Sequence, residues 1–211
     1  MKRLMTVLLC ASLAAAATLP SRAAEKASAV AVAKAPGGAP DTLQMLEQEV
    51  AKDSTKFDNL YKLGVLYVDR DKVNEATAVL TKAHMLRPQD HRVMVNLGAA
   101  LDAAGRANEA QGYYKEALQI IPGDSVASCR LASSFYAQSR YSDTMDMLRQ
   151  VIRVTPRAHC AYFMLGVAFA DAGIYKDAIR MWRKVVDLAP TSTEAISARE
   201  SIEVLEKFTQ Q

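Results

Sequence analysis

The stretch HRVMVNLGAALDAAGRANEAQGYYKEALQIIPGD, residues 91–124, decides the fold of this chain. Leu97, Gly98 and Leu101 share one helical face, and Ala110, Tyr114 and Ala117 share another. Gly105 stands between the two runs, where a left-handed residue ends a helix, and Pro122 blocks continuation of the second. The stretch therefore reads as two antiparallel helices, His91 to about Ala104 and Asn108 to Ile120. The small residues lie where the two axes cross, and Tyr114 fills the space beside the crossing.

The same pattern returns before and after it at intervals of about 34 residues. Gly64, Gly98, Ala132 and Gly166 are in register, each preceded by Leu63, Leu97, Leu131 or Leu165. Tyr67, Leu101, Phe135 and Phe169 follow. Next come Ala76, Ala110, Thr144 and Ala178, then Leu80, Tyr114, Leu148 and Trp182, then Ala83, Ala117, Val151 and Val185. Each unit closes on Pro88, Pro122, Pro156 or Pro190. This predicts an all-α solenoid of four helix pairs, at residues 57–90, 91–124, 125–158 and 159–192. Leu43, Leu46 and Val50 mark an additional helix over 41–54, with Asp41 as its cap and Gln44 reaching back. Thr191 and Glu194 form a capping-box pattern ahead of a last helix within 193–211. There Arg199 and Glu200 occupy the leucine and glycine positions, so that helix is expected to end the stack.

The N-terminus has a different character. Lys2 and Arg3 precede an apolar run from Leu4 to Leu19, with small residues at Ser21 and Ala23, the pattern of a secretory signal peptide over 1–24. A rival reading makes Cys10 a lipid-bearing residue, but Leu9 stands where that cleavage requires a small side chain. Residues 25–40 are rich in alanine, proline and glycine with no sustained apolar face, and read as a flexible linker. Loss of the leader removes Lys2, Arg3 and Arg22 from 26 basic residues and none of the 23 acidic ones. The mature chain is then close to neutral, which gives no electrostatic drive toward nucleic acid or anionic lipid. A periplasmic or secreted protein is expected, without a membrane span.

Leucine, glycine, an aromatic, alanine, a large residue, alanine and proline at these spacings resemble the tetratricopeptide repeat family from Phe57 to Ser192. The third unit departs most, with Ser128, Ala132 and Thr144. The resemblance implies a right-handed superhelix without catalytic chemistry, whose inner wall, formed by the first helix of each pair, holds a peptide or a partner helix. Transferred by register, the implied protein-binding groove consists of Tyr61, Lys62 and Val65 from the first unit and Arg92, Val95, Asn96 and Ala99 from the second. Cys129, Arg130, Ser133 and Tyr136 come from the third, and Phe163, Met164 and Val167 from the fourth. Tyr61, Tyr136 and Phe163 are the expected anchors, with Asn96 and Arg130 orienting the ligand. Some family members grip a chaperone's C-terminal carboxylate. Asn96 and Arg130 match two of the positions used, whereas Tyr61, Val65 and Val126 occupy the other three, so that clamp is incomplete.

Nothing in the chain reads as a catalytic, cofactor or metal motif. His84, His91 and His159 are too scattered to converge on a metal. Cys129 and Cys160 lie on first helices of neighbouring units, an even pair for which a disulfide and two half-buried thiols are both open readings. The expected function is a non-catalytic scaffold that binds an envelope protein through its concave groove. The alternatives are a self-associating structural protein, hence a homo-oligomer, or a holdase-like periplasmic chaperone.

Overall fold

The computed structural model describes residues 40–209; the expected leader, Cys10 and nearly all of the expected linker lie outside them. Ten helices follow one another among the described residues: α1 (Pro40–Lys52), α2 (Phe57–Asp69), α3 (Val73–Leu86), α4 (His91–Ala103), α5 (Ala107–Ile120), α6 (Ser125–Ala137), α7 (Tyr141–Val154), α8 (His159–Asp171), α9 (Tyr175–Leu188) and α10 (Thr193–Thr209). Helices α2 to α9 form four pairs whose boundaries recur in the register read from the sequence. The pairs stack into an all-α solenoid, closed at its two described ends by α1 and α10.

A close crossing holds each pair together. A Cβ on Gly64 would lie 2.5 Å from the Leu80 side chain, and one on Gly98 would lie 2.6 Å from the Tyr114 ring. At Gly166 the same atom would run into the Trp182 indole. Leu80, Tyr114, Leu148 and Trp182 are all buried, as are Ala76, Ala110, Thr144 and Ala178 on the facing turn. Short against long at the crossing lets the axes approach while leaving no void. The polar tips find partners: the Tyr114 hydroxyl donates to Asp102 Oδ2 at 2.9 Å, and Trp182 Nε1 donates to the Phe163 carbonyl at 3.2 Å. Thr144 stands where the other pairs have alanine. Its hydroxyl lies 3.3 Å from the Ala132 carbonyl and 3.0 Å from that of Arg140, so no polar group is stranded.

Between the helices of each pair one residue adopts the left-handed conformation: Asp71, Gly105, Ser139 and Gly173, with φ of 56°, 76°, 61° and 74°. The sequence marked only the two glycines. Asp71 and Ser139 meet the same geometric demand with a Cβ attached, which costs about 1–2 kcal/mol. On the opposite edge, Asp90 caps α4 by accepting from Arg92 N, and Asp124 caps α6 by accepting from Val126 N and Ala127 N. The equivalent residue before α10 is Ser192, whose hydroxyl accepts from Ala195 N at 3.1 Å. This corrects the expected Thr191 box: the cap is Ser192, one residue later, the helix begins at Thr193, and Glu194 lies 3.8 Å from His159 Nε2 on α8.

The terminal helices differ in how they attach. α1 docks through buried Leu43, with Leu46 and Val50 beside it, and Glu47 accepts from the Tyr67 hydroxyl at 2.9 Å. Burial, and then this carboxylate, push the Tyr67 phenol up to about 12. α10 brings Ala195 and Ala198 against Phe163, Val167, Trp182 and Val185.

Three substitutions check this account of the crossings and turns. In urea unfolding, Gly98→Val is expected to lose about 1–3 kcal/mol through overpacking against Tyr114. Gly112→Ala, where an added Cβ meets nothing within 4 Å, is expected to gain up to about 1 kcal/mol. Ser139→Gly is expected to stabilise the fold by up to about 1 kcal/mol despite deleting a side chain; an unchanged or lower midpoint would contradict the cost assigned to that turn.

Candidate functional site

The first helices face one another in series. α2 packs on α4, α4 on α6, α6 on α8, and α8 on α10, whereas no two consecutive second helices pack on each other to that extent among the described residues. The side on which neighbouring helices approach is the inside of the curve, so α2, α4, α6 and α8 form the concave wall.

That close approach decides which of the expected groove residues are open. Val95, Ala99, Cys129, Phe163, Met164 and Val167 are each less than a tenth exposed. Phe163, expected as an anchor, is 6% exposed and packs in the cluster that α10 completes with Ala195 and Ala198. It is a core residue, as is Val167. Met164 is buried among Cys129, Ala132 and Leu165. The aromatic and aliphatic wall positions of the fourth unit are thus spent on packing, Phe163 and Val167 with α10 and Met164 with α6.

Open or half-open are Tyr61, Lys62, Val65, Arg92, Asn96, Arg130, Ser133 and Tyr136, with Val126 54% exposed beside them. These form a strip over α2, α4 and α6. Tyr61 is held in place from three sides: its ring stacks with Phe57 at 6.2 Å, Arg92 lies over it at 5.3 Å, and Asn96 Nδ2 donates to its hydroxyl at 3.3 Å. Arg92 is itself fixed by Asp90, at 2.7 Å. Its guanidinium holds the Asp90 carboxyl below the usual carboxylate range. Asn96 Nδ2 also donates to the Arg92 carbonyl at 2.8 Å, so its side-chain oxygen is the atom left for a ligand.

Lys62 and Arg130 take part in no ion pair among the described residues. Arg130 nevertheless lies near two carboxylates, Asp69 and Asp102. Burial raises the pKa of each above the usual range, and the guanidinium opposes that rise. The Asp102 oxygens are occupied by the Tyr114 and Ser134 hydroxyls, both at 2.9 Å. Tyr136 donates to Asp171, and burial, then this contact, pushes its phenol up. Tyr136 is therefore a half-buried strut, with the Tyr141 ring 5.1 Å from its own. Register alone places Asp69, Asp102 and Asp171 on this wall, and the structure adds the partners of the last two, Tyr114 and Ser134 for Asp102 and Tyr136 for Asp171.

Among the described residues no three histidine, cysteine or acidic side chains converge to hold a metal, and no helix is long and apolar enough to cross a membrane. His91 Nε2 lies 4.0 Å from Asp124 and His159 Nε2 lies 3.8 Å from Glu194, each pair tying one unit to the next. A shallow cleft between α9 and α10 is lined by Arg183, Val186, Asp187, Arg199, Ile202, Glu203 and Glu206, and Arg183 already pairs there with Glu206 at 2.6 Å. Cys129 and Cys160 are joined in a disulfide, with Cα atoms 6.2 Å apart.

Comparison with known proteins agrees with this geometry. No curated protein sequence matches the chain. MamA from Desulfovibrio magneticus RS-1 is similar in structure, with a TM-score of 0.59 at 17% identity over 82% of this chain and 96% of that one. YrrB, described as a TPR protein with an unusual peptide-binding site, has a TM-score of 0.53 at 19% identity over 85% and 89%. A tetratricopeptide repeat protein from Parabacteroides merdae ATCC 43184 has a TM-score of 0.60 at 15% identity over 80% and 66%. At these identities the likeness is one of fold. The tetratricopeptide repeat family model matches residues 61–125 and 129–193, more than half of the chain, and the chain belongs to the tetratricopeptide repeat family.

Proposed function

We propose that this protein is an exported, non-catalytic scaffold that binds a segment of an envelope protein on the open strip of its concave wall. The observation that carries the reading is the contrast along that wall. Its fourth unit is sealed by packing, while Tyr61, Lys62, Val65, Asn96, Arg130 and Ser133 remain accessible on the first three. A preorganised aromatic ring, two cations without ion-pair partners among the described residues and an open amide oxygen are the ingredients of an interface hot spot. Val65 and Val126 supply apolar contact. The leader-like N-terminus supports export, and the absence of a catalytic constellation in the sequence supports binding over chemistry.

A segment lying along the strip would bury its apolar side on Val65 and Tyr61. An acceptor on it would meet Lys62 or Arg130, and a donor would meet Asn96. Such a mixed surface suits a defined partner better than unselective holding of unfolded chains, which favours broad apolar or methionine-rich surfaces.

Self-association is the second reading, favoured by Ile196, Val204 and Phe208, which are each at least half exposed on α10. Both readings are directly testable. A photoreactive residue in place of Lys62, with Lys115 as the control, is expected to cross-link one dominant protein in cells; equal products at the two sites would overturn the groove assignment. Tyr61→Ala combined with Arg130→Ala should weaken that partner by about 2–4 kcal/mol in calorimetry. If α10 mediates self-association, light scattering should show a dimer or larger species that Val204→Ser with Phe208→Ser returns to monomer.

A further inference from the structure

The junctions between neighbouring first helices are built differently along the wall. Between α2 and α4 the bulky Tyr61 spans the gap, held by Arg92 and Asn96. At the third junction, α6 presents the short Cys129 at the position where α2 has Tyr61. There the gap is crossed covalently, by the disulfide from Cys129 to Cys160 on α8. Farther along the same pair of helices, Tyr136 donates to Asp171, whose second oxygen is buried without a hydrogen-bond partner among the described residues. α6 is also where the buried core divides. Its Leu131 packs with α2 to α5, whereas its Cys129 and Ala132 pack with α7 and α8.

We propose that the Cys129–Cys160 disulfide is a reducible brace: a dithiol reductant opens it, and the wall between the third and fourth units loosens while the first two units keep their packing. Cys160 is half-buried and Cys129 is 6% exposed, so the Cys160 sulfur is the accessible point of attack. The reductant's thiolate bonds to Cys160 Sγ, the protein S–S bond breaks, and Cys129 leaves as a thiolate that takes up a proton. The second thiolate of the reductant then attacks the reductant sulfur bonded to Cys160, and Cys160 leaves as a thiolate that takes up a proton. The protein gains two thiols, and the reductant is oxidised to its own disulfide.

The effect is local because each unit of a repeat array depends mainly on its nearest neighbours. The bond closes a loop with a sequence separation of 31 that contains all of α7, so its loss returns chain freedom to that segment first. The inference concerns the wall itself and stands whichever ligand, if any, the strip takes.

Hydrogen exchange read by mass spectrometry tests it on the full chain, oxidised and after treatment with dithiothreitol, with alkylated cysteines located by peptide mass. Cys129 and Cys160 are expected to become alkylated in the folded protein. Amides of α6, α7 and α8 should then exchange about tenfold faster, while those of α2 to α5 change less than about twofold. The Cys129→Ala, Cys160→Ala double variant should show the same pattern without reductant. Resistance of the folded protein's disulfide to reduction, unchanged exchange in α6 and α8, or equal acceleration in all helices would each overturn the proposal.

Discussion

The crossing of two helices at a missing side chain is the constraint on which the rest of this structure depends. Gly64 against Leu80, Gly98 against Tyr114, and Gly166 against Trp182 leave no space for a Cβ. Ala132 against Leu148 is the only crossing of the four with a methyl group at that position. Because each pair is locked at one point with one depth, the pairs are nearly identical and stack with a nearly constant step. The curvature of the wall follows from that repeated step, without any long-range contact to impose it.

Curvature has a cost for recognition. Bringing first helices close enough to make a concave surface also buries the side chains between them, as Val95, Cys129 and Phe163 show. A wall residue can serve the ligand or the neighbouring helix. In the first unit Tyr61 does part of both, its ring steadied by Phe57, Arg92 and Asn96 while it stays half-buried. In the fourth unit α10 takes the wall residues into the core. The result is an asymmetric groove with polar and aromatic character at one end and closed packing at the other.

Most of the architecture was legible in the sequence, because the crossing needs a particular residue size at a particular interval and periodicity displays that need directly. The succession of helix pairs and the small-large pairing at each crossing follow from it. Exposure was not legible. Register assigned Phe163 and Tyr61 to the same wall position, and only the packing of α10 distinguishes them. The turn between paired helices shows a similar limit: Gly105 and Gly173 announce a left-handed residue, while Asp71 and Ser139 adopt the same conformation without announcing it. Ser192 rather than Thr191 caps α10 because the position is set by the repeat interval, which also places Asp90 and Asp124.

The charged crossing positions of α10 bear on how such a chain lengthens over generations. Arg199 and Glu200 stand where another pair would need leucine and a small residue, and both are exposed. A second helix laid against α10 itself would meet charge at the point where the four pairs close on a small residue. A copy inserted between two existing pairs would meet the same step on either side, so the interior of the stack is where an added unit leaves every crossing intact.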